Sequence, residues 1–279
     1  MEKLTYTIES HPVQVNVEGD FKFGTEGVLS NKENDIVHDQ TWYQDGFAIS
    51  PLFTQEEFAS VKNGLKDCVE RIIKQELSID TNGFSLETYH LFVKNPEDHF
   101  KVVRRTRDLF AKDFNFNIEE LIPKFEKLLG FQLYDIDNFL GHKVHIIIRI
   151  NRPGSTDYNP PHKDIYEGYD DDKYIAQFLN FWIPIAGVTD KSSLPIAPKS
   201  HLIPESQIER TFLGGKVEGN QYRVRMIKSW AGSNHLERAK VKDGDLLMFS
   251  SHLIHGLAIN EEIDQTRVAL EFRLFKKNQ

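Results

Sequence analysis

"YIAQFLNFWIPI", residues 174–185, is a short run rich in aromatic and β-branched residues, the composition that suits a half-buried or fully buried strand. Runs of the same kind lie on both sides of it: "VHIIIRI" (144–150), "YRVRMI" (222–227), "DLLMFS" (245–250) and "RVALEFRLF" (267–275). All are short and separated by turns, and several strands at such spacing predict a sandwich or barrel. Upstream of Lys143 the texture is different. Val13, Val15 and Val17 alternate as in a strand, and "WYQDGFAISPLF" (42–53) reads as a short strand entering a helix.

Three helices are predicted in this first half. Thr54 and Glu57 form a capping-box pattern, followed by Phe58, Val61, Leu65, Val69 and Ile72 at helical spacing. Asn95-Pro96, with Glu97 and Asp98 behind them, opens a second helix whose inner face is expected to carry Phe100, Val103 and Phe110. Asn117 and Glu120 suggest a third cap, ahead of Leu121, Ile122, Phe125 and Leu128, with Pro123 in the first turns where it is tolerated. Helices first and strands later point to an α+β, mainly β chain with helices on one face of an antiparallel sheet. A single domain over residues 1–279 is expected, with 1–142 as N-terminal strands and helical support and 143–279 as the core carrying the chemistry.

Composition narrows the function classes. A net charge of -8 and a pI near 5.8 disfavour nucleic acid or an anionic membrane as main partner, since both need a positive face. The lone Cys68 excludes an internal disulfide and any multi-thiolate zinc site, and its place on the apolar face of the first helix reads as inert core. No apolar run is long enough to span a bilayer, no basic-then-apolar leader opens the chain, and a reducing cytoplasm suits the cysteine usage.

The chemistry concentrates in two segments. "NPPHKDIY" (159–166) places His162 and Asp164 two apart, so on extended backbone both point to one face. Alone, such a pair reads as a solvated turn. "GDLLMFSSHLIHGLAIN" (244–260) then carries His255-Gly256 after a strand and a turn, and Arg267 follows 12 residues beyond His255. Two histidines and one carboxylate on one face of a metal leave open positions for a bidentate keto acid and O2. The keto acid's far carboxylate needs a buried cation, and the planar fork of arginine suits it. His252 rivals His255 but has the opposite parity and lacks the following glycine, while Arg273 rivals Arg267 because the two share strand parity.

Together with "DGFAISPLFTQEEF", "HKD", "FWIPI", "PIAPKSH", "GDLLMF", "LIHG" and "TRVAL", in that order from Trp42 to Phe275, these segments resemble the phytanoyl-CoA dioxygenase-like (PhyH) superfamily of Fe(II)/2-oxoglutarate-dependent oxygenases. The resemblance implies a double-stranded β-helix (a cupin-like jelly roll) with N-terminal helices packed outside it. It implies His162, Asp164 and His255 as iron ligands and Arg267 as partner of the 2-oxoglutarate C5 carboxylate. Trp182 would wall the co-substrate pocket, unless it is simply core, and Asn180 shares its parity. The sequence departs from the pattern at Lys191-Ser192-Ser193, at Lys199 in place of the usual glycine, and at Leu257, where a serine often touches co-substrate.

The implied activity is hydroxylation of a small-molecule metabolite, such as a natural product or sugar, by Fe(II), 2-oxoglutarate and O2, with release of succinate and CO2. Desaturation, cyclisation or epimerisation would use the same residues, whereas Asp164 opposes halogenation, which needs that position free for halide. A cupin-type binding protein without turnover is the alternative of another class, and Arg267 weighs against it. Tyr158, Tyr166, Arg223 and Arg225 are candidate substrate contacts, although paired arginines on a strand also suit a solvated face. The acid run Asp170-Asp171-Asp172 reads as a solvated loop tip or a lid.

Overall fold

The computed structural model describes residues 2–136 and 146–277. Strands β1 (Glu2–Ile8), β2 (His11–Glu18), β3 (Phe21–Phe23) and β4 (Phe47–Pro51) come first, then helices α1 (Gln55–Leu77), α2 (Tyr89–Phe92), α3 (Pro96–Thr106) and α4 (Leu121–Leu129). After β5 (Leu133–Tyr134) and β6 (Ile147–Asn151) comes the short helix α5 (Tyr166–Asp172). The remaining strands are β7 (Phe178–Ala186), β8 (Pro195–Ile196), β9 (Ile208–Thr211), β10 (Gly215–Val217), β11 (Asn220–Tyr222), β12 (Ile227–Trp230), β13 (His235–Arg238), β14 (Asp245–Ser250) and β15 (Arg267–Lys276). Of the run expected at 144–150, Val144 and His145 lie outside the described residues.

One sheet runs in the order β4-β14-β7-β15-β5, with β6 also paired to β15. Its strands are antiparallel, and the central ones, β14, β7 and β15, are largely buried on both sides, most completely β7, all nine of whose residues are buried. Alternation divides the two faces. Phe181, Ile183 and Ile185 of β7, Leu246 and Met248 of β14, and Val268, Leu270 and Phe272 of β15 join one core with α1, α3 and α4. The opposite face presents Trp182, Leu247, Phe249 and Ala269 to a second cluster. This is a jelly roll with its helices on one face.

The second wall contains β11-β10-β2-β1-β13-β8 and, separately, β12-β9-β3. Short irregular segments join them. Ala197 N–H donates to Ile254 O, His162 and His255 exchange backbone hydrogen bonds, and Ile227 N–H donates to Pro161 O. The chain's two histidine segments therefore form the middle of this wall. The N-terminal strands are woven into both walls: β1 lies parallel to β13, β2 pairs with β10, β3 with β9, and β4 with β14.

The first helix begins as its sequence implies. Thr54 caps α1, with both capping-box bonds to Glu57 formed, and Val61, Leu65, Cys68, Val69 and Ile72 are buried. The second is rotated from expectation. Asn95 caps α3, but His99, Val102, Val103 and Thr106 face inward, Phe100 is 64% exposed, and the helix ends before Phe110. At the third, residues 118–120 form a 3-10 turn, and Asn117 bonds the Glu120 side chain rather than capping the backbone. Leu121, Phe125 and Leu129 are then buried, while Leu128 turns outward. Residues 222–227 are not one strand, because β11 ends at Tyr222 and β12 starts at Ile227.

Phe125 locks the helix layer to the sheet, stacked 4.4 Å from Phe181 and edge-on 5.5 Å from Phe272. Phe125→Ala is expected to cost about 3–5 kcal/mol, as buried aromatic truncations do. Urea denaturation of the metal-free protein checks this, and a loss below about 1 kcal/mol would show that the helices are not integral to the core.

Candidate metal and co-substrate site

The site starts from the backbone. His162 N–H donates to His255 O at 2.9 Å and His255 N–H returns the bond to His162 O at 3.1 Å. This narrow antiparallel pair sets the imidazoles side by side, with ring centroids 4.4 Å apart. Gly256 makes the approach feasible: its φ is +133°, and a Cβ there would stand 2.5 Å from the Pro160 carbonyl. His162 and Asp164 both face one cavity, while Lys163 between them points the other way, to Glu205. Among the described residues, His162, Asp164 and His255 form the one cluster that could hold a metal ion, their ligand atoms all within 4.8 Å of one another.

The protonation pattern suits a metal. His162 Nδ1–H donates to Pro160 O (2.8 Å) and His255 Nδ1–H to Leu253 O (3.0 Å). A carbonyl can only accept, so Nδ1 carries a proton in each ring and Nε2 is the atom turned toward Asp164, at 3.5 and 3.6 Å, and toward a metal. Burial draws the His255 pKa down to about 4, which keeps the ring neutral. Burial by itself would raise the Asp164 pKa, but Arg273 and the neighbouring imidazoles hold it well below the usual carboxylate range. Asn180 Nδ2 donates to Asp164 Oδ2 at 2.7 Å and Arg273 Nη2 to Oδ1 at 2.8 Å.

The two rival arginines are thus separated. Arg273 is engaged by Asp164, whereas Arg267 lies fully buried with its Nε and Nη1 lacking any hydrogen-bond partner. Its guanidinium carbon sits 5.3 Å from the ring centroid of Trp182, whose own Nε1 is also unpartnered. All these groups line one cavity of about 700 Å³, its open mouth included. Asn180 faces the cavity as its parity implies, but its amide is committed to Asp164 rather than free for a co-substrate. His252 is buried elsewhere, against Asn34 O, and His201 donates to Tyr43 O as a structural loop residue.

Of the four candidate substrate contacts, Tyr158 alone lines the cavity. Tyr166 instead donates to Glu205 Oε2 (2.8 Å), beside the fully buried Lys163–Glu205 pair at 2.7 Å. Arg225 pairs with Asp171 at 2.5 Å, and Arg210 grips Asp170 through two bonds of 2.6 and 2.8 Å. The acid run forms the last turn of α5, where buried arginines hold the Asp170 side chain behind the His-x-Asp segment while Asp171 and Asp172 stay exposed, as a solvated tip would be. Arg223 is exposed and off the cavity. Leu257 belongs to the core of the other wall, so its side chain does not reach the cavity, and Lys199 occupies the left-handed conformation (φ 64°) that a glycine adopts more readily. Sequence reasoning missed Arg107, Arg149 and Glu271, which also line the cavity. The odd parity that Glu271 shares with Arg267 on β15 was the available signal.

The donor set of two imidazoles and a carboxylate fits Fe(II), and the Arg267 guanidinium, with Nε and Nη1 free of partners among the described residues, fits the far carboxylate of a keto diacid. The sequence matches the phytanoyl-CoA dioxygenase (PhyH) family over residues 42–260, a span that includes His162, Asp164 and His255. No curated protein matches it. Among solved structures it is similar to EctD from S. alaskensis in its apoform, at 13% identity and TM-score 0.48, covering 93% of this chain and 85% of that one. It is also similar to AviO1 from Streptomyces viridochromogenes Tue57 (16%, TM-score 0.45, covering 84% and 90%). A third is the epimerase SnoN in complex with Fe3+, alpha ketoglutarate and nogalamycin RO (13%, TM-score 0.46, covering 84% and 80%). The chain belongs to the phytanoyl-CoA dioxygenase (PhyH) family and is an Fe(II)- and 2-oxoglutarate-dependent dioxygenase that uses O2.

Proposed function

We propose that the protein hydroxylates a small-molecule metabolite, with His162, Asp164 and His255 holding the iron and Arg267 seating the distal carboxylate of 2-oxoglutarate. The observation that carries this reading is Arg267 itself, a buried guanidinium without a protein partner in the same cavity as the three ligands. An uncompensated buried charge costs several kcal/mol, so its retention calls for an anion that arrives with the reaction. A protein that merely bound metal would have no use for it.

Bound iron, 2-oxoglutarate and O2 supply the oxidising chemistry, in which 2-oxoglutarate becomes succinate and CO2 and one oxygen atom enters a substrate C–H bond. The chain's own contribution is geometry and environment. The Pro160 and Leu253 carbonyls fix both imidazole tautomers, and Asn180 and Arg273 orient the Asp164 carboxylate. Trp182, Leu194, Phe249 and Ala258 give the cavity an apolar lining that excludes water around the reacting groups. The buried Lys163–Glu205–Tyr166 cluster braces the ligand segment from the side away from the cavity. Asp164 as a protein ligand favours oxygen transfer over halide transfer.

Anaerobic titration with Fe(II) and 2-oxoglutarate is expected to give the weak visible charge-transfer band of the chelate. Arg267→Ala should weaken 2-oxoglutarate binding by about two orders of magnitude, in line with loss of a buried charge pair. The same variant should lose little stability before ligands are added, because the buried charge it removes has no ion pair among the described residues and only the Trp182 ring beside it. An unchanged band in Arg267→Ala would sink the co-substrate assignment. Gly256→Ala should lower metal affinity by about tenfold or more, the scale on which displaced ligands lose metal. Co(II) titration with far-UV circular dichroism as a fold control reads that effect; unchanged affinity would separate Gly256 from the site.

A further inference from the structure

The cavity carries more positive charge than 2-oxoglutarate consumes. Arg107, Arg149, Arg267 and Arg273 line it, facing Asp157, Asp164 and Glu271. Arg149 pairs with Glu271 at 2.8 Å and Arg273 with Asp164 at 2.8 Å. Asp157 is already neutralised by Arg152, which donates to both its carboxylate oxygens at 2.8 and 3.1 Å. His99, 3.3 Å from Asp157, adds no charge at neutral pH, since burial draws its pKa down to about 4. Two guanidinium groups, Arg267 and Arg107, have no carboxylate within ion-pair distance among the described residues, and Glu271, which attracts both through space, is already paired with Arg149. Fe(II) and dianionic 2-oxoglutarate cancel each other, so the loaded cavity keeps this positive excess inside a chain whose net charge is -8.

Arg107 follows the last turn of α3 and is open to solvent while still lining the cavity, which places it at the mouth. A helix C-terminus favours a cation, but that preference does not account for a side chain turned into a cleft where Arg149 opposes its charge and the carboxylates that attract it, Glu271 and Asp157, are each paired with another arginine. Val103, Ile148, Tyr158 and Phe272 give the same cavity apolar surface. We propose that the primary substrate carries an anionic oxygen group, carboxylate or phosphate, seated on Arg107 at the cavity mouth with its carbon skeleton on this apolar surface. The inference rests on the reading that Arg267 is taken by 2-oxoglutarate.

The test uses oxygen-free protein loaded with Fe(II) and saturating 2-oxoglutarate, so that Arg267 is occupied, and three matched probes: benzoate, phenyl phosphate and the neutral benzamide. Binding is followed by tryptophan fluorescence. At least one anion is expected to bind about tenfold tighter than benzamide, the scale of one charge-assisted contact. That preference should shrink in 0.5 M NaCl, vanish in Arg107→Gln and survive in part in Arg107→Lys. The stronger of the two anions identifies carboxylate or phosphate as the group. Anions that bind no tighter than benzamide, no binding by any probe, or a preference that persists in Arg107→Gln would each overturn the inference. The chelate band recorded in the same samples keeps the two readings apart: a normal band without anion preference defeats this inference alone, whereas absence of the band defeats the assignment of Arg267.

Discussion

The alternation of side chains along β6, β15, β7 and β14 is the constraint on which the rest of the structure depends. The strands are largely buried on both sides, so their residues divide between the helix-facing core and the cavity, with Ile148, Phe181 and Phe272 reaching both. On β15, Val268, Leu270 and Phe272 hold the helices, while Arg267, Glu271 and Arg273 face the cavity. A one-residue slip would drive guanidinium groups into the α1–α3–α4 core and leucines into the reactive cavity. The helix layer thus does more than cover a sheet. By demanding a continuous apolar face, it fixes which side chains of the other parity meet at the site.

The second wall solves a different problem. Two histidines must stand side by side although one lies at position 162 and the other at 255. Reciprocal backbone hydrogen bonds between them do this, and Gly256 permits the close approach. The segment that carries His162 and Asp164 is irregular, so its rigidity comes from behind, where Lys163, Glu205, Tyr166, Arg210 and Asp170 form a buried charged network. Such networks add little net stability compared with apolar packing, but they specify one arrangement. Holding ligand atoms to a fraction of an ångström is a task for which specificity matters more than stability.

Electrostatics separates surface from site. The chain is acidic overall, yet its cavity gathers four arginines, two of them paired with a carboxylate and one, Arg267, fully buried with no ion pair among the described residues. Asp164 shows how the pieces interlock. It is approached by two imidazoles, one amide and one guanidinium, so its charge is stabilised before any metal binds. Membership of the phytanoyl-CoA dioxygenase (PhyH) family states what such a site is for, while the arginines around it bear on what enters.

The sequence by itself determined whatever rests on short-range chemistry. The capping box at Thr54 and Glu57 marks the start of α1, and the nearly continuous apolar run around "FWIPI" marks a strand that is buried on both faces. The His-x-Asp spacing, the later His-Gly and the arginine beyond it contain the ligand types and their order, which local periodicity turns into a common direction. The tertiary structure alone decided which partners these residues meet. Arg267 and Arg273 have the same parity and cannot be told apart until Asp164 is found against one of them. Tyr166 and Arg225 look like substrate contacts until Glu205 and Asp171 arrive from distant segments to claim them. Phe100 points outward because the phase of α3 is set by the sheet beneath it, not by its own apolar count. Period and capping act over a few residues and are written in order along the chain. Charge pairing and burial act through space, between segments whose neighbourhood exists only once the chain has folded.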